Sequence, residues 1–377
     1  MMDLSRIART PWFLILLLCT GAGGGIVLLL SATGIWQPPR PVSGLAVGSL
    51  VVAVLALGVS AIRSRSRARK LQEALGAQAE EEKRTASADR QAEIDDLQRS
   101  FDAAVDTLQT SRLGRTGGRA SALTALPWFL MIGPPGAGKT VAIQESGLHF
   151  PVGTGAVRGV GGTRNCDWFF ADEAIILDTA GRYMVDHDDT EEWEAFLKAL
   201  KTHRPDPPIN GVMVGIDVLQ LVDAAGRDRA WHATRIRRRI DELVEHLGAR
   251  FPVYLVLTKC DLLYGFVESF ESLPPDAKDE AWGCTLSHDE ISQIERREAA
   301  VEDIVATGFD RLMEGLYDHR DRILARTSSR ETQRSRYVFP VEVAALREGL
   351  VSFAGLLFRP NPYQEQPIFR GFYLTSG

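Results

Sequence analysis

The sequence predicts an α/β fold: a sheet with helices on both faces, built around a phosphate-binding (P-loop) turn and preceded by a two-helix transmembrane hairpin and a helical connector. Three observations predict it. Two long uncharged runs lie within the first 62 of 377 residues. A glycine-rich turn, "GPPGAGKT", follows directly on an apolar strand. Beyond it, short apolar runs ending in Asp or Thr-Lys alternate with charged helical stretches. That is the rhythm of an α/β sheet with its ligand groups at the carboxyl ends of the strands.

The hairpin comes first. Trp12 to Ser31 and Val42 to Ile62 carry no charge, and each is about the length that crosses a bilayer. Only "ATGIWQPPRP" separates them, with Trp36 suited to an interface. A cleaved signal peptide is the rival reading of the first run, and the second span that follows at once argues against it. Arg63, Arg65, Arg67, Arg69 and Lys70 crowd the end of the second span, and Arg6 and Arg9 precede the first. Both ends are therefore expected on the cytoplasmic side, with the Arg run beside membrane lipids.

The composition is otherwise ordinary, with 45% hydrophobic residues, 24% charged residues and a net charge of −6. That balance gives no reason to expect nucleic acid as a partner. Cys19, Cys166, Cys260 and Cys284 are far apart, without CxxC or Cys/His ligand spacing, so neither a disulfide framework nor a zinc site is favoured.

Residues 64–112 read as the connector, cytoplasmic and helical. They lack Pro, and Ile94, Leu97, Phe101, Val105 and Leu108 recur at three- and four-residue steps. The expectation is a helix packed on the following domain, ended by the loop "SRLGRTGGRA". The main domain is expected over 113–350, with an insertion at about 264–300, and an extended segment over 351–377.

The motifs carry the chemistry. Strand Trp128–Ile132 runs into Gly133, Pro134, Pro135, Gly136, Ala137, Gly138, Lys139 and Thr140, which fit GxxxxGK[ST]. Glycines let backbone N–H groups face phosphate oxygens, and the helix that follows adds its positive end. Lys139 would reach the β- and γ-phosphates, and Thr140 would ligate Mg²⁺. "CDWFF" and "AIILDTAG" then read as two strands joined by a turn at Ala171-Asp172-Glu173. The second ends in Asp178, the expected magnesium partner, with Gly181 offering an N–H to a γ-phosphate. Thr163 is a candidate metal ligand that engages only with a triphosphate, and Arg164 a candidate cis arginine. Arg182 stands where many such switches carry a water-positioning glutamine. Strand Val253–Leu257 ends in Thr258-Lys259-Cys260-Asp261, the [NT]KxD pattern for guanine. The Asp261 carboxylate accepts from guanine N1 and N2, and adenine offers no such donor at N1. "INGVMVGIDVLQLV" supplies a further strand and 228–247 a helix. "RYVFPVEVAAL" reads as the last strand and a following helix, 288–327 as one long amphipathic helix, and no further base-contacting motif stands out. The set is GTPase-like, with GTP or ATP and Mg²⁺ as the expected cofactors.

"GPPGAGKT…SGLHFP", "GVGGTRNCDWFF", "ILDTAGRY", "LTKCDLL" and "RGFYLTSG" together closely resemble the TssM/IcmF family, over nearly the whole chain. The resemblance implies an inner-membrane component of the bacterial type VI secretion system or its type IVB relative. It implies a hairpin, then a cytoplasmic GTPase-like domain, and a third span and periplasmic region beyond the residues here. The partners it implies are a TssL-like membrane protein, cytoplasmic baseplate components and, through the periplasmic region, a TssJ-like lipoprotein, with self-association in the assembly. Some family members lack intact phosphate-loop motifs, whereas this chain keeps Gly133, Lys139, Thr140 and Asp178. Two functions remain open at this stage: a slow nucleotide-dependent switch, and a structural anchor whose nucleotide site is dispensable.

Overall fold

The computed structural model describes residues 91–111, 123–151, 166–184, 190–222, 227–274, 277, 280–326 and 329–376, with 26, 29, 32 and 33 before them. The chain divides into two compact units, Met1–Asp89 and Arg90–Gly377. In the first, the described residues Ile26, Leu29 and Ala32 are helical, and the Thr33 N–H donates to the Leu29 carbonyl at 3.0 Å. Apart from Ile26 and Leu29, the two runs expected to span a membrane lie outside the described residues. No helix among the described residues is long and apolar enough to cross a membrane. Residues 64–90 of the connector also lie outside them.

The second unit is a mixed α/β fold on a seven-stranded sheet of order β2-β3-β1-β4-β5-β7-β6. The strands are β1 (Trp128–Ile132), β2 (Cys166–Phe170), β3 (Ile175–Thr179), β4 (Gly211–Asp217), β5 (Pro252–Thr258), β6 (Gly283–Thr285) and β7 (Ile368–Leu374). The five inner strands β3, β1, β4, β5 and β7 run parallel, and the edges β2 and β6 pair antiparallel. The β2–β3 hairpin is the expected one, closed by Ala171 N–H donating to Ala174 O at 2.9 Å.

Strand alternation divides the core between the faces. Leu130, Ile132, Trp168, Leu177, Val212, Val214 and Leu255 belong to the larger cluster. Met131, Phe169 and Ile176, one residue out of step, form a smaller cluster with Ile143 of helix α2 (Lys139–Gln144). The larger face is covered by α1 (91–110) and α3 (Thr190–His203), among other helices. Phe101 of α1 is fully buried, 4.8 Å from the Trp168 ring and 5.6 Å from Phe196 of α3. The helix read as a connector is therefore part of this core, because the Leu97, Phe101, Ala104 and Leu108 stripe needs an apolar partner.

The chain beyond β5 departs from the sequence expectation. Residues 336–346 form no strand: they fall mostly in α9 (Arg330–Ala344), after α4 (Val218–Val222), α5 (Arg227–Leu247), α6 (Phe266–Phe270), α7 (His288–Glu295) and α8 (Val301–Leu324). Ser335, Arg336, Phe339, Pro340 and Val343 are its buried residues, a helical stripe, and the Ser329 hydroxyl accepts from the Thr332 N–H at its start. Tertiary packing of that stripe overrides the β-branched and aromatic composition and tolerates Pro340. The long helix expected over 288–327 is two, because Arg297 takes a positive φ of 58° between α7 and α8. The segment expected to be an insertion contributes β6. In the segment read as extended, the end of α10 (Leu346–Leu357) comes first, and β7 then lies between β5 and β6.

Candidate functional site

The parallel strands β1, β3, β4, β5 and β7 bring their carboxyl ends to one edge of the sheet, and the motif residues collect there. After β1 the chain turns through Gly136 and Gly138, at φ of 72° and 70°, a left-handed backbone that favours glycine. It enters α2 at Lys139. Lys139 is buried, and its Nζ donates to its own loop, to Gly133 O at 3.0 Å and Pro134 O at 3.2 Å. Burial pulls its pKa down, partly offset by the Asp178 charge. The loop is thus shaped around a cation that is poor in solvent and has one more donor to offer.

Asp178 ends β3 beside this loop and is fully buried. Its Oδ2 accepts from the Thr140 hydroxyl, and its Oδ1 has no hydrogen-bond partner among the described residues. Burial pushes its carboxyl up to about 6, while Thr140 and Lys139 hold it back and Asp167 adds to the rise. Asp167 faces Asp178 across the β2–β3 ladder and is itself buried. A buried carboxylate oxygen without a partner, next to a hydroxyl, is the donor set that a hard divalent cation would satisfy. Gly181 follows, and its backbone lies against the loop: a Cβ there would come within 2.5 Å of Pro135 Cα and 3.0 Å of the Pro134 carbonyl carbon.

The end of β5 braces the loop from the other side. The Thr258 hydroxyl lies 2.5 Å from Ala137 O and 3.1 Å from Ile216 O, and it can donate to one at a time. Lys259, at φ 61°, runs its stem past Gly138 and donates from Nζ to Asp217 Oδ2 at 2.8 Å. Asp261 sits exposed on the short turn Cys260–Leu262. Cys260 N–H donates to Thr375 O at 3.1 Å, and Thr375 N–H to Leu257 O at 2.8 Å. Burial pushes the Cys260 thiol up to about 12, so it is a packing group, not a nucleophile.

Two contributors escaped the sequence reading. Asp217 anchors Lys259, and its signal was present as the acid ending "VMVGID". Thr375 lies beside the Lys259–Asp261 loop only because β7 pairs with β5, a long-range pairing that no local pattern announces.

Arg182 follows Gly181 and is engaged by carboxylates of two helices. Its guanidinium ion-pairs with Glu192 Oε2 of α3 at 2.5 Å and with Glu93 Oε2 of α1 at 3.7 Å. Burial, then a hydrogen bond with Glu93, push Glu192 up to about 7 against the pull of Arg182. The structure thus brings together Gly133 to Thr140, Asp178, Gly181, Thr258 and Lys259, sets Asp261 on the adjoining turn, and commits Arg182 to a carboxylate pair. Thr163 and Arg164 lie outside the described residues.

Fold and site define a mixed α/β protein with a glycine-rich strand-to-helix loop at the carboxyl edge of its sheet. The profile of the IcmF-related N-terminal domain matches residues 186–377, about half of the chain. The chain is 43% identical over 297 residues to the type VI secretion system component TssM1 of Pseudomonas aeruginosa, across 76% of this chain and 26% of that protein. This chain belongs to the TssM/IcmF family. It spans about a quarter of the length of that relative. Among solved structures, a chain of the signal recognition particle receptor SRb-GTP/SRX complex from Chaetomium thermophilum matches 48% of this chain and 86% of its own, at 18% identity and a TM-score of 0.25. A score that low bears on neither fold nor function.

Proposed function

We propose that this chain is the nucleotide-responsive N-terminal part of an inner-membrane scaffold subunit of a type VI secretion complex. The observation that carries the nucleotide reading is the convergence of Lys139, Thr140 and the unpartnered Asp178 Oδ1 on one glycine-rich loop. In this reading the loop is a P-loop, in a GTPase-like arrangement. Lys139 exchanges a loop carbonyl for β- and γ-phosphate oxygens. Thr140 and Asp178 hold Mg²⁺, which neutralises phosphate charge when bound, and Thr163 joins them when a triphosphate is present. Gly181 offers its N–H to the third phosphate. Thr258 and Lys259 support the base side, where the Asp261 carboxylate favours GTP over ATP.

Hydrolysis in this reading is slow. Arg182 holds two carboxylates and cannot orient a water at the same time, so Arg164 or a partner protein must do so. The membership of the family supports the secretion role, the two-span inner-membrane hairpin and a cytoplasmic position for the Arg90–Gly377 unit. It also supports a TssL-like protein, baseplate components, a TssJ-like lipoprotein, membrane lipids and further copies of the chain as partners. The same commitment of Arg182 favours a second reading, a structural anchor that needs no nucleotide. The discriminating experiment is secretion by cells carrying Lys139→Ala: a secretion defect with normal protein level supports the nucleotide role, and unchanged secretion supports the anchor.

A further inference from the structure

Arg182 follows directly on Gly181, and the two residues touch different parts of the molecule. Gly181 seats its backbone on Pro134 and Pro135 without room for a methyl group. Arg182 reaches Glu192, which is 1% exposed, and Glu93. An ion pair to a carboxylate so desolvated is not a surface decoration: burial already pushes Glu192 up, and Arg182 is what holds it back. Glu93 belongs to α1, the first helix of the Arg90–Gly377 unit and the point where the chain enters it. Further along the same helix, Phe101 is wedged between Trp168 and Phe196. Loop, Gly181, Arg182, Glu192, Glu93 and α1 are therefore in contact in series.

We propose that Arg182 is a positioning residue that couples the docking of α1 to the third-phosphate side of the nucleotide site. The proposal rests on the nucleotide-binding reading above. With α1 docked, Glu93 and Glu192 fix Arg182, and Arg182 fixes Gly181 against the loop. The first two phosphates lie along the loop backbone from Gly136 into α2, whereas the latch meets the loop at Pro134 and Pro135. Loosening α1 at Glu93 then weakens a triphosphate and leaves a diphosphate alone. Linkage makes the effect reciprocal: a triphosphate tightens α1.

The test uses the full chain, purified in detergent, with a non-hydrolysable GTP analogue and with GDP, each with Mg²⁺. Glu93→Ala is the first variant, since Glu93 is 41% exposed and its loss leaves the core intact. Arg182→Lys is the second, keeping the charge but losing the fork that spans two carboxylates. The expected result is a fall of roughly two- to fivefold in the ratio of triphosphate to diphosphate affinity for Glu93→Ala, the scale of a half-exposed ion pair. Arg182→Lys gives a similar or larger fall. In the unaltered chain, the triphosphate analogue slows amide exchange over 91–110 more than GDP does. A ratio that stays constant or rises, or equal exchange with both nucleotides, overturns the coupling while leaving the binding site in place. Binding of neither nucleotide to the unaltered, folded chain overturns the functional reading and the coupling with it.

Discussion

Replacing Asp178 by Asn tests the electrostatics of the site without a ligand. Asp178 is fully buried and its carboxyl titrates near 6 instead of its ordinary 3.8. The folded chain therefore holds a proton there that the unfolded chain has already released. The stability this group supplies is complete below the unfolded value and is lost as pH rises through about 6. The gap of about two units corresponds to about 3 kcal/mol of destabilisation at pH 8. Most of it, about 2 kcal/mol, develops between pH 4.5 and pH 8. Asn can still accept from Thr140, but its amide then lies where Oδ1 has no partner, at a constant cost of roughly 1–3 kcal/mol. The pH-dependent part is thus the clean signal. Urea unfolding of both proteins at the two pH values measures it: the variant should gain about 2 kcal/mol on the unaltered chain between pH 4.5 and pH 8. Parallel stability profiles would refute the reasoning, because they would mean that the carboxylate finds solvent or a partner the fold does not show.

Other substitutions read other contacts. Gly181→Ala forces a methyl group onto Pro135 and should cost roughly 1–3 kcal/mol in thermal or urea unfolding, with triphosphate binding weakened as well. Thr258→Val removes the hydroxyl that braces Ala137 O and Ile216 O. It should cost about 1–2 kcal/mol and speed amide exchange over 133–140, whereas Thr258→Ser should restore both. Asp261→Asn should shrink the preference for GTP over ATP by about tenfold or more in competition titrations, with little change in stability because the side chain is exposed. An unchanged preference would remove Asp261 from base reading.

The parts of the fold that follow from local pattern were legible in the sequence, and the parts set by distant pairing were not. The strand before Gly133, the β2–β3 hairpin and the strand before Thr258 stand out because apolar runs meet glycine or turn residues at their ends. The 336–346 stretch misled because Tyr337, Val338, Phe339, Val341 and Val343 favour a strand by composition, while the buried stripe of Arg336, Phe339, Pro340 and Val343 has a helical period. β7 falls in the stretch that reads as extended, but its place between β5 and β6 depends on a pairing across more than a hundred residues of chain. The same holds at the site. Lys139, Thr140 and Asp178 were legible because spacing and chemistry coincide. The engagement of Arg182 was not, because Glu93 and Glu192 lie on two helices whose packing against the sheet brings them to it. Asp217 was legible in principle, as an acid closing a buried strand.

The central claim is that the loop at 133–140 binds a magnesium nucleotide through Lys139. The direct measurement is titration of the full chain and of Lys139→Ala with fluorescent GTP and ATP analogues, with and without Mg²⁺, beside circular dichroism of both proteins. Among the described residues Lys139 Nζ bonds carbonyls of its own loop, and circular dichroism checks that the variant, which also loses the charge beside Asp178, still folds. Mg²⁺-dependent binding to the unaltered chain should be at least about tenfold weaker in the variant, the loss of one charge-assisted contact to phosphate. A folded unaltered chain that binds neither nucleotide, or binding that Lys139→Ala leaves untouched, would contradict it and leave the structural anchor as the function of this fold.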